Sequence, residues 1–320
     1  MAHELEIVNG QAQMAYVGEV PWHGLGTAVP ADLTSEQMMQ AAGLDWTVEK
    51  MPSYYDGPDG KLLTGQHALV RSTDRKILTN ISDNWEPVQN ADAFQFFHDF
   101  VMDGDMEMHT AGSMFGGKRV WALAKVKESF EVMDGDKVEN FLLFSNPHEY
   151  GRAIDVRFTS IRCVCNNTVT LAINEQVDRW IRLNHRRKFD AEAVKKMLGI
   201  AKVKFNQFEE VSQFLASRKA ASDDVIRYLS EVFPSASKNR PSDADYLSRP
   251  AEKVLANLET QPGAEFGEGT WWQAFNAVTY TADHILGQSV ETRIQSSWYG
   301  QNRLRKITAL EKAVEYAEAS

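Results

Sequence analysis

Eight basic side chains lie between Gly151 and Asp190, and seven of them are arginine: Arg152, Arg157, Arg162, Arg179, Arg182, Arg186 and Arg187, followed by Lys188. A guanidinium grips phosphate through a planar fork of N–H donors and stacks on aromatic rings or bases. Arginine therefore suits a nucleic-acid backbone better than a merely solvated face requires. This stretch carries +4, whereas residues 1–150 carry −13 and residues 191–320 carry −1, within a chain of net charge −10. A basic island thus sits inside an acidic protein. Strand alternation through Ile154–Arg162 puts Arg157 on the face of Asp155 and Arg162 on the opposite face. Arg182, His185, Arg186, Arg187 and Lys188 form the densest cluster, which reads either as a phosphate grip or as an exposed helix end. Lys118 and Arg119, beside the Gly116-Gly117 turn, extend the candidate surface.

Other chemistry finds less support. The chain has no GxxxxGK[ST] phosphate loop, no GxGxxG after a strand, no HExxH and no paired CxxC, so no cofactor, metal site or catalytic residue is assigned. Cys163-x-Cys165 is too closely spaced for a zinc knuckle. Cys165, near Arg162, reads as a thiol nucleophile or as a small apolar residue at a strand end. Pro21-Trp22-His23-Gly24-Leu25-Gly26 reads as a base-stacking or catalytic loop, with Trp22 the stacking residue, or as a tight turn plugged by Trp22. Trp271 and Trp272, with Phe275 and Tyr280, offer a stacking platform, or Trp272, Phe275 and Thr279 form a buried stripe at helical spacing. Arg293, Trp298, Tyr299, Arg303, Arg305 and Lys306 form a second aromatic and basic cluster, suited to nucleic acid or to a neighbouring subunit.

The elements that must carry these residues change character along the chain. Residues 1–30, rich in glycine and aromatics and without a period, read as a loop-like arm docked on the fold. A short helix follows over Thr34–Gly43, capped by Thr34 or Ser35. Runs at Trp46–Met51, His67–Arg71 and Lys76–Asn80, separated by turn residues, predict a hairpin or meander. Asn90–Met102 is a predicted helix, with Asn90 as its cap. Met106–Ala111, Arg119–Lys127, Ser129–Met133, Lys137–Ser145 and Ala153–Cys165 are predicted strands, and Val120, Ala122, Ala124 and Val126 alternate toward a core. Beyond Thr170 the period becomes helical at Ala191–Leu198, Phe205–Ser217, Asp223–Val232, Ala251–Leu258, Trp271–Leu286 and Gln301–Glu318, with Ser235–Pro250 as a linker.

The expected class is α+β: a central, mostly antiparallel sheet flanked by helices over residues 31–190, then a helical region over 191–320. No run approaches the ~20 apolar residues of a membrane span, and Met1–Glu6 lacks a secretory signal, so a cytoplasmic location in the host cell is expected.

Met1-Ala2-His3-Glu4-Leu5, Tyr16-Val17-Gly18-Glu19 with Pro21–Gly26, and Phe158-Thr159-Ser160-Ile161-Arg162-Cys163-Val164-Cys165-Asn166-Asn167-Thr168 together resemble the phage/plasmid-like protein family. This is an uncharacterised-domain family of phages, prophages and plasmids that includes YafZ-type prophage proteins. The resemblance implies a role in mobile-element DNA metabolism. The sheet and its arginine-rich strand are loosely similar to phage single-strand annealing recombinases of the Redβ, RecT and Erf-like kind, which hold one DNA strand in a basic groove without metal or nucleotide. The leading expectation is a homo-oligomer that binds or anneals single-stranded DNA through Arg152, Arg157, Arg162, Arg179, Arg182, Arg186, Arg187, Lys188, Lys118, Arg119 and Trp22. An antidefence factor whose acidic N-terminal half binds a host defence or nuclease protein is the second expectation. An enzyme using His23 and Cys165 is the third.

Overall fold

The computed structural model describes residues 5–18, 24–162, 167–170, 181–183, 185, 201–234, 247–287 and 290–320. Its centre is an eight-stranded sheet. β3 (Met14–Val17) and β4 (Thr27–Val29) lie at one end, followed by β8 (Met106–Met114), β9 (Arg119–Glu131), β10 (Lys137–Pro147), β11 (Ile154–Arg162) and β12 (Asn167–Thr170), with β13 (Ile181–Leu183) also paired to β11. Every pairing is antiparallel except β3 with β4. The sheet is the expected antiparallel-rich centre of an α+β fold.

The N-terminal segment docks differently from the expected loop. After the short pair β1 (Ile7–Val8) and β2 (Gln11–Ala12), β3 hydrogen-bonds to β8 and β4 runs parallel to β3. Strand pairing satisfies backbone groups that a buried loop would leave open. The link is tightened by an ion pair between Glu6 and Arg71 at 2.6 Å, both buried.

The first helix, α1 (Ser35–Ala41), begins at a capping box. Thr34 Oγ1 accepts the Gln37 N–H while the Gln37 side chain accepts the Thr34 N–H, and Gly43 closes the segment at φ +68°. The predicted meander is a separate three-stranded sheet of β5 (Val48–Gly57), β6 (Gly60–Arg71) and β7 (Ile77–Ser82). Beyond the end of β7 the β5–β6 ribbon continues alone, and Tyr54, Tyr55, Leu62 and Leu63 are exposed there.

Helix α2 (Asn90–Met102) packs Phe96 and Phe97 on Phe144 of β10. Asn90 does not cap it. Its Nδ2 donates to the carbonyls of Leu44 and Trp46, and its Oδ1 faces His148 Nε2 at 2.9 Å. Alternation on β9 is as expected: Val120, Ala122, Ala124 and Val126 join the main core with α1 and α2. Ser129–Met133 is no separate strand, because β9 runs on to Glu131 with a register shift opposite β10.

The C-terminal helices are α3 (Ala201–Ser217), α4 (Ser222–Val232), α5 (Arg249–Asn257), α6 (Trp271–Tyr280), α7 (Val290–Tyr299) and α8 (Gln301–Ala319). Trp271, Trp272 and Phe275 on α6 are fully buried, so they form the stripe and not a stacking platform. Trp272 Nε1 donates to Asp136 at 2.7 Å, tying α6 to the β9–β10 turn. The helix expected to run to Leu286 gives way at Thr281–Ile285 to a π-helical turn. The wider turn leaves the Ala282 carbonyl to side chains, and it accepts from Asn302 Nδ2 at 2.7 Å and Ser297 Oγ at 3.4 Å. Helix α7 was not anticipated from the sequence.

Candidate anion-binding centre

The sheet has a second packed face, opposite α1 and α2. Unbroken register across β9, β10 and β11 aligns Trp121 with Ser145 and Asp155, and Leu123 with Leu143 and Arg157. Trp121, Leu123, Phe141 and Leu143 make a small apolar cluster there, covered by Trp298 and Tyr299 from the end of α7. Trp298 meets Trp121 edge-on at 5.2 Å.

Charged groups gather around Tyr299. The guanidinium carbon of Arg119 lies 4.6 Å from the Tyr299 ring centre and that of Arg157 lies 4.9 Å away, so one ring serves two cations. Arg157 Nη2 is 3.2 Å from Asp155 Oδ2, and both residues are buried. From α8, Arg303 and Lys306 turn inward one helical turn apart, and Lys306 Nζ meets Asp283 of the π turn at 2.6 Å. Arg303 is buried and Lys306 almost completely so. Four cations and two carboxylates of the described residues therefore share a largely water-free region.

Burial dominates the acid–base behaviour of this region. It pushes the Lys306 ammonium below the usual lysine range, an effect that Asp283 opposes and the positive Arg157 and Arg303 reinforce. It likewise pushes the Tyr299 phenol up, aided by Asp155 and opposed by Arg157, Arg119 and the neighbouring Ser145 hydroxyl. The raised phenol leaves Tyr299 a neutral donor.

One end of this face opens to solvent. Glu149 stands between Arg119 and Arg152, 3.8 Å from each, and the Arg152 side chain is 60% exposed. Half-buried Lys118 adjoins them, and its carbonyl accepts from the His148 N–H. Arg182 occupies the β13 position paired with Asp155.

Arg157 of the first basic cluster thus meets Tyr299, Arg303 and Lys306 of the second at one centre. Arg157 and Asp155 share a face as expected, and Arg162 falls in register with Val138, one residue out of phase with that face. Arg119 and Arg157 are buried, whereas Arg152 is exposed. Arg179, Arg186, Arg187, Lys188, Trp22, His23, Cys163, Cys165 and the helix expected over Ala191–Leu198 lie outside the described residues. Most of the Ser235–Pro250 linker does too. Asp283 escaped the sequence reading altogether, because only the π turn brings it to Lys306. Arg305 points elsewhere, stacking on Phe233 at 5.3 Å.

A family model described as Domain of unknown function (DUF932) matches residues 77–309, more than half of the chain. The chain belongs to the DUF932 family. The matched span takes in every residue of the centre, from Arg119 on β9 to Lys306 on α8, while the exposed β5–β6 ribbon precedes it. No curated protein and no solved structure matches the chain significantly. No helix of the described residues is long and apolar enough to cross a membrane, and no group of three or more metal-ligating side chains occurs among them.

Proposed function

We propose that this DUF932 protein is a DNA-metabolism protein of phages or other mobile elements that binds or anneals single-stranded DNA as a homo-oligomer in the host cytoplasm. The observation that carries this reading is the gathering of Lys118, Arg119, Arg152 and Arg157, with the Arg182 strand, at one end of a single sheet face. In this reading exposed Arg152 and half-buried Lys118 meet the phosphates. Buried Arg119 and Arg157 set the potential behind them, where low dielectric makes charge act at longer range. The arginine-rich run that continues to Lys188 extends the track.

Fluorescence anisotropy with a labelled oligothymidylate, titrated with salt, tests this. Each phosphate contact on a single strand contributes about −0.7 to the slope of log K against log salt. Lys118→Glu with Arg152→Glu is expected to weaken binding at least about tenfold and to flatten the slope by about 1.4. Binding that ignores salt, or a double variant that binds like the parent chain, refutes the reading. Electron microscopy with and without the oligonucleotide tests the assembly, which should form rings or filaments.

A further inference from the structure

The buried centre contains polar atoms that its own charges leave unsatisfied. Among the described residues, Arg119 Nη1, Trp121 Nε1 and Asp155 Oδ1 are each buried without a hydrogen-bond partner, and the Tyr299 hydroxyl has Ser145 beside it but no well-formed hydrogen bond. Their residues are more than nine-tenths buried in the case of Arg119, Trp121 and Asp155. Leaving such a group unpaired costs about 1–3 kcal/mol, and folds rarely retain several together without a use.

Their residues share one face of the sheet. Trp121 and Asp155 flank Ser145 in one register row of β9, β10 and β11. Tyr299 lies over that row, with the Arg119 guanidinium against its ring. Three of the four atoms are donors of N–H or O–H type, one of them cationic, and the fourth is a carboxylate oxygen that can only accept.

We infer that this cluster is a binding site for a protonated phosphate oxyanion, held by Arg119 and Tyr299 and recognised through its P–OH group by Asp155. The Arg119 guanidinium and the Tyr299 hydroxyl supply donors for the oxygens of a tetrahedral anion. An acceptor in the same site is useful only if the ligand carries a proton to donate. Inorganic phosphate has one at neutral pH. Sulfate and an internal phosphodiester have none, so Asp155 repels them. A terminal phosphate monoester carries such a proton only near and below its second pKa of ~6. Arg119 links the buried donors to solvent, because its Nη2 faces the partly exposed Glu149 at 3.8 Å. The site thus selects against the very backbone phosphates assigned to the neighbouring rim. The strand-end source of the ligand rests on the single-stranded DNA reading; the site itself does not.

Isothermal titration of the full chain with inorganic phosphate and with sulfate, at matched ionic strength and neutral pH, tests the proposal. Phosphate is expected to bind about ten- to a hundredfold more tightly than sulfate, the factor set by one unsatisfied buried acceptor. Asp155→Asn should erase the preference, since an amide donates to either anion, and Tyr299→Phe should weaken phosphate severalfold. The comparison on the parent chain stands even if Asp155→Asn fails to fold. Equal binding of the two anions, or no binding of either, overturns the site. A 5′-phosphorylated oligonucleotide that outcompetes its 5′-hydroxyl twin below pH 6 identifies a strand end as the source. No difference between the twins, with phosphate still preferred over sulfate, identifies the free anion. Salt-dependent binding of both oligonucleotides with no phosphate selectivity removes this site and leaves the DNA reading intact.

Discussion

Acid should destabilise this protein through two buried histidines, well before its carboxylates are involved. His148 is completely buried, with its Nε2 on the Asn90 carbonyl oxygen, the Trp46 ring 5.2 Å away, and His185 and Arg71 as its charged or titratable neighbours. His185 stacks on Trp85 at 4.0 Å and faces the Glu86 carbonyl through Nδ1 at 3.0 Å. Both bonded oxygens only accept, so the bonded ring nitrogens carry the protons. The other nitrogens, His148 Nδ1 and His185 Nε2, are buried without partners among the described residues. A second proton would therefore find no acceptor. Burial pushes His148 down to about 3 and His185 to about 4. In the unfolded chain both take up protons near pH 6.5. The unfolded state therefore binds more protons below pH 6.5, and stability falls with pH from there down to the folded values. At pH 5 each histidine lies about 1.5 pH units below its unfolded midpoint, a loss of about 2 kcal/mol apiece at 1.36 kcal/mol per unit, so about 4 kcal/mol together. Asp74, held to about 2 by the Arg71 guanidinium, is still ionised at pH 5 and contributes nothing to this window. Urea unfolding followed by tryptophan fluorescence at pH 7 and pH 5 measures the difference. His148→Gln or His185→Gln should each remove about half of it. A change below ~1 kcal/mol in the parent chain, or an undiminished change in both variants, refutes the argument.

Lys306→Met should cost about 3–5 kcal/mol in the same unfolding assay, because it takes the ammonium away from the buried Asp283 carboxylate; adding Asp283→Asn should recover part of that loss. A cost below ~1 kcal/mol would mean that the pair does not carry the π turn. Gly117→Ala should cost about 1–3 kcal/mol and lower the midpoint of a thermal melt. Gly117 has φ +92°, and an added Cβ would lie 2.7 Å from the Arg71 Nη1 that holds Glu6.

Local chemistry made much of the fold legible. Thr34 announces α1, the Asp56–Gly60 turn announces the β5–β6 hairpin, and Val120, Ala122, Ala124 and Val126 announce a half-buried strand. Residues 5–18 and 24–30 hid their strands because β3 and β4 are short and gain their backbone partners only from β8 and from each other. At the centre, alternation correctly put Arg157 beside Asp155. The fate of that pair was beyond local pattern. Arginine is ordinarily a surface residue, and Arg157 lies buried under Tyr299, which arrives from far along the chain. The aromatic and basic cluster near residue 300 was visible as composition, but only packing decides that Arg303 and Lys306 point inward while Arg305 does not. Asp283 had no signal, since a π turn has no sequence signature that distinguishes it from the helix before it.

The assembly of the centre has a consequence for synthesis on the ribosome. Its parts come from β9, β10, β11, the π turn, α7 and α8, spread from residue 119 to residue 306. Contacts of such sequence separation form late, because closing a long loop precedes any reward from the contact. While the first 280 or so residues emerge, the sheet can pair but Arg119 and Arg157 still face water, without Tyr299 between them. Docking of α7 and α8 is therefore the step that completes the centre, since Tyr299 covers both guanidiniums and Lys306 reaches Asp283 only from there.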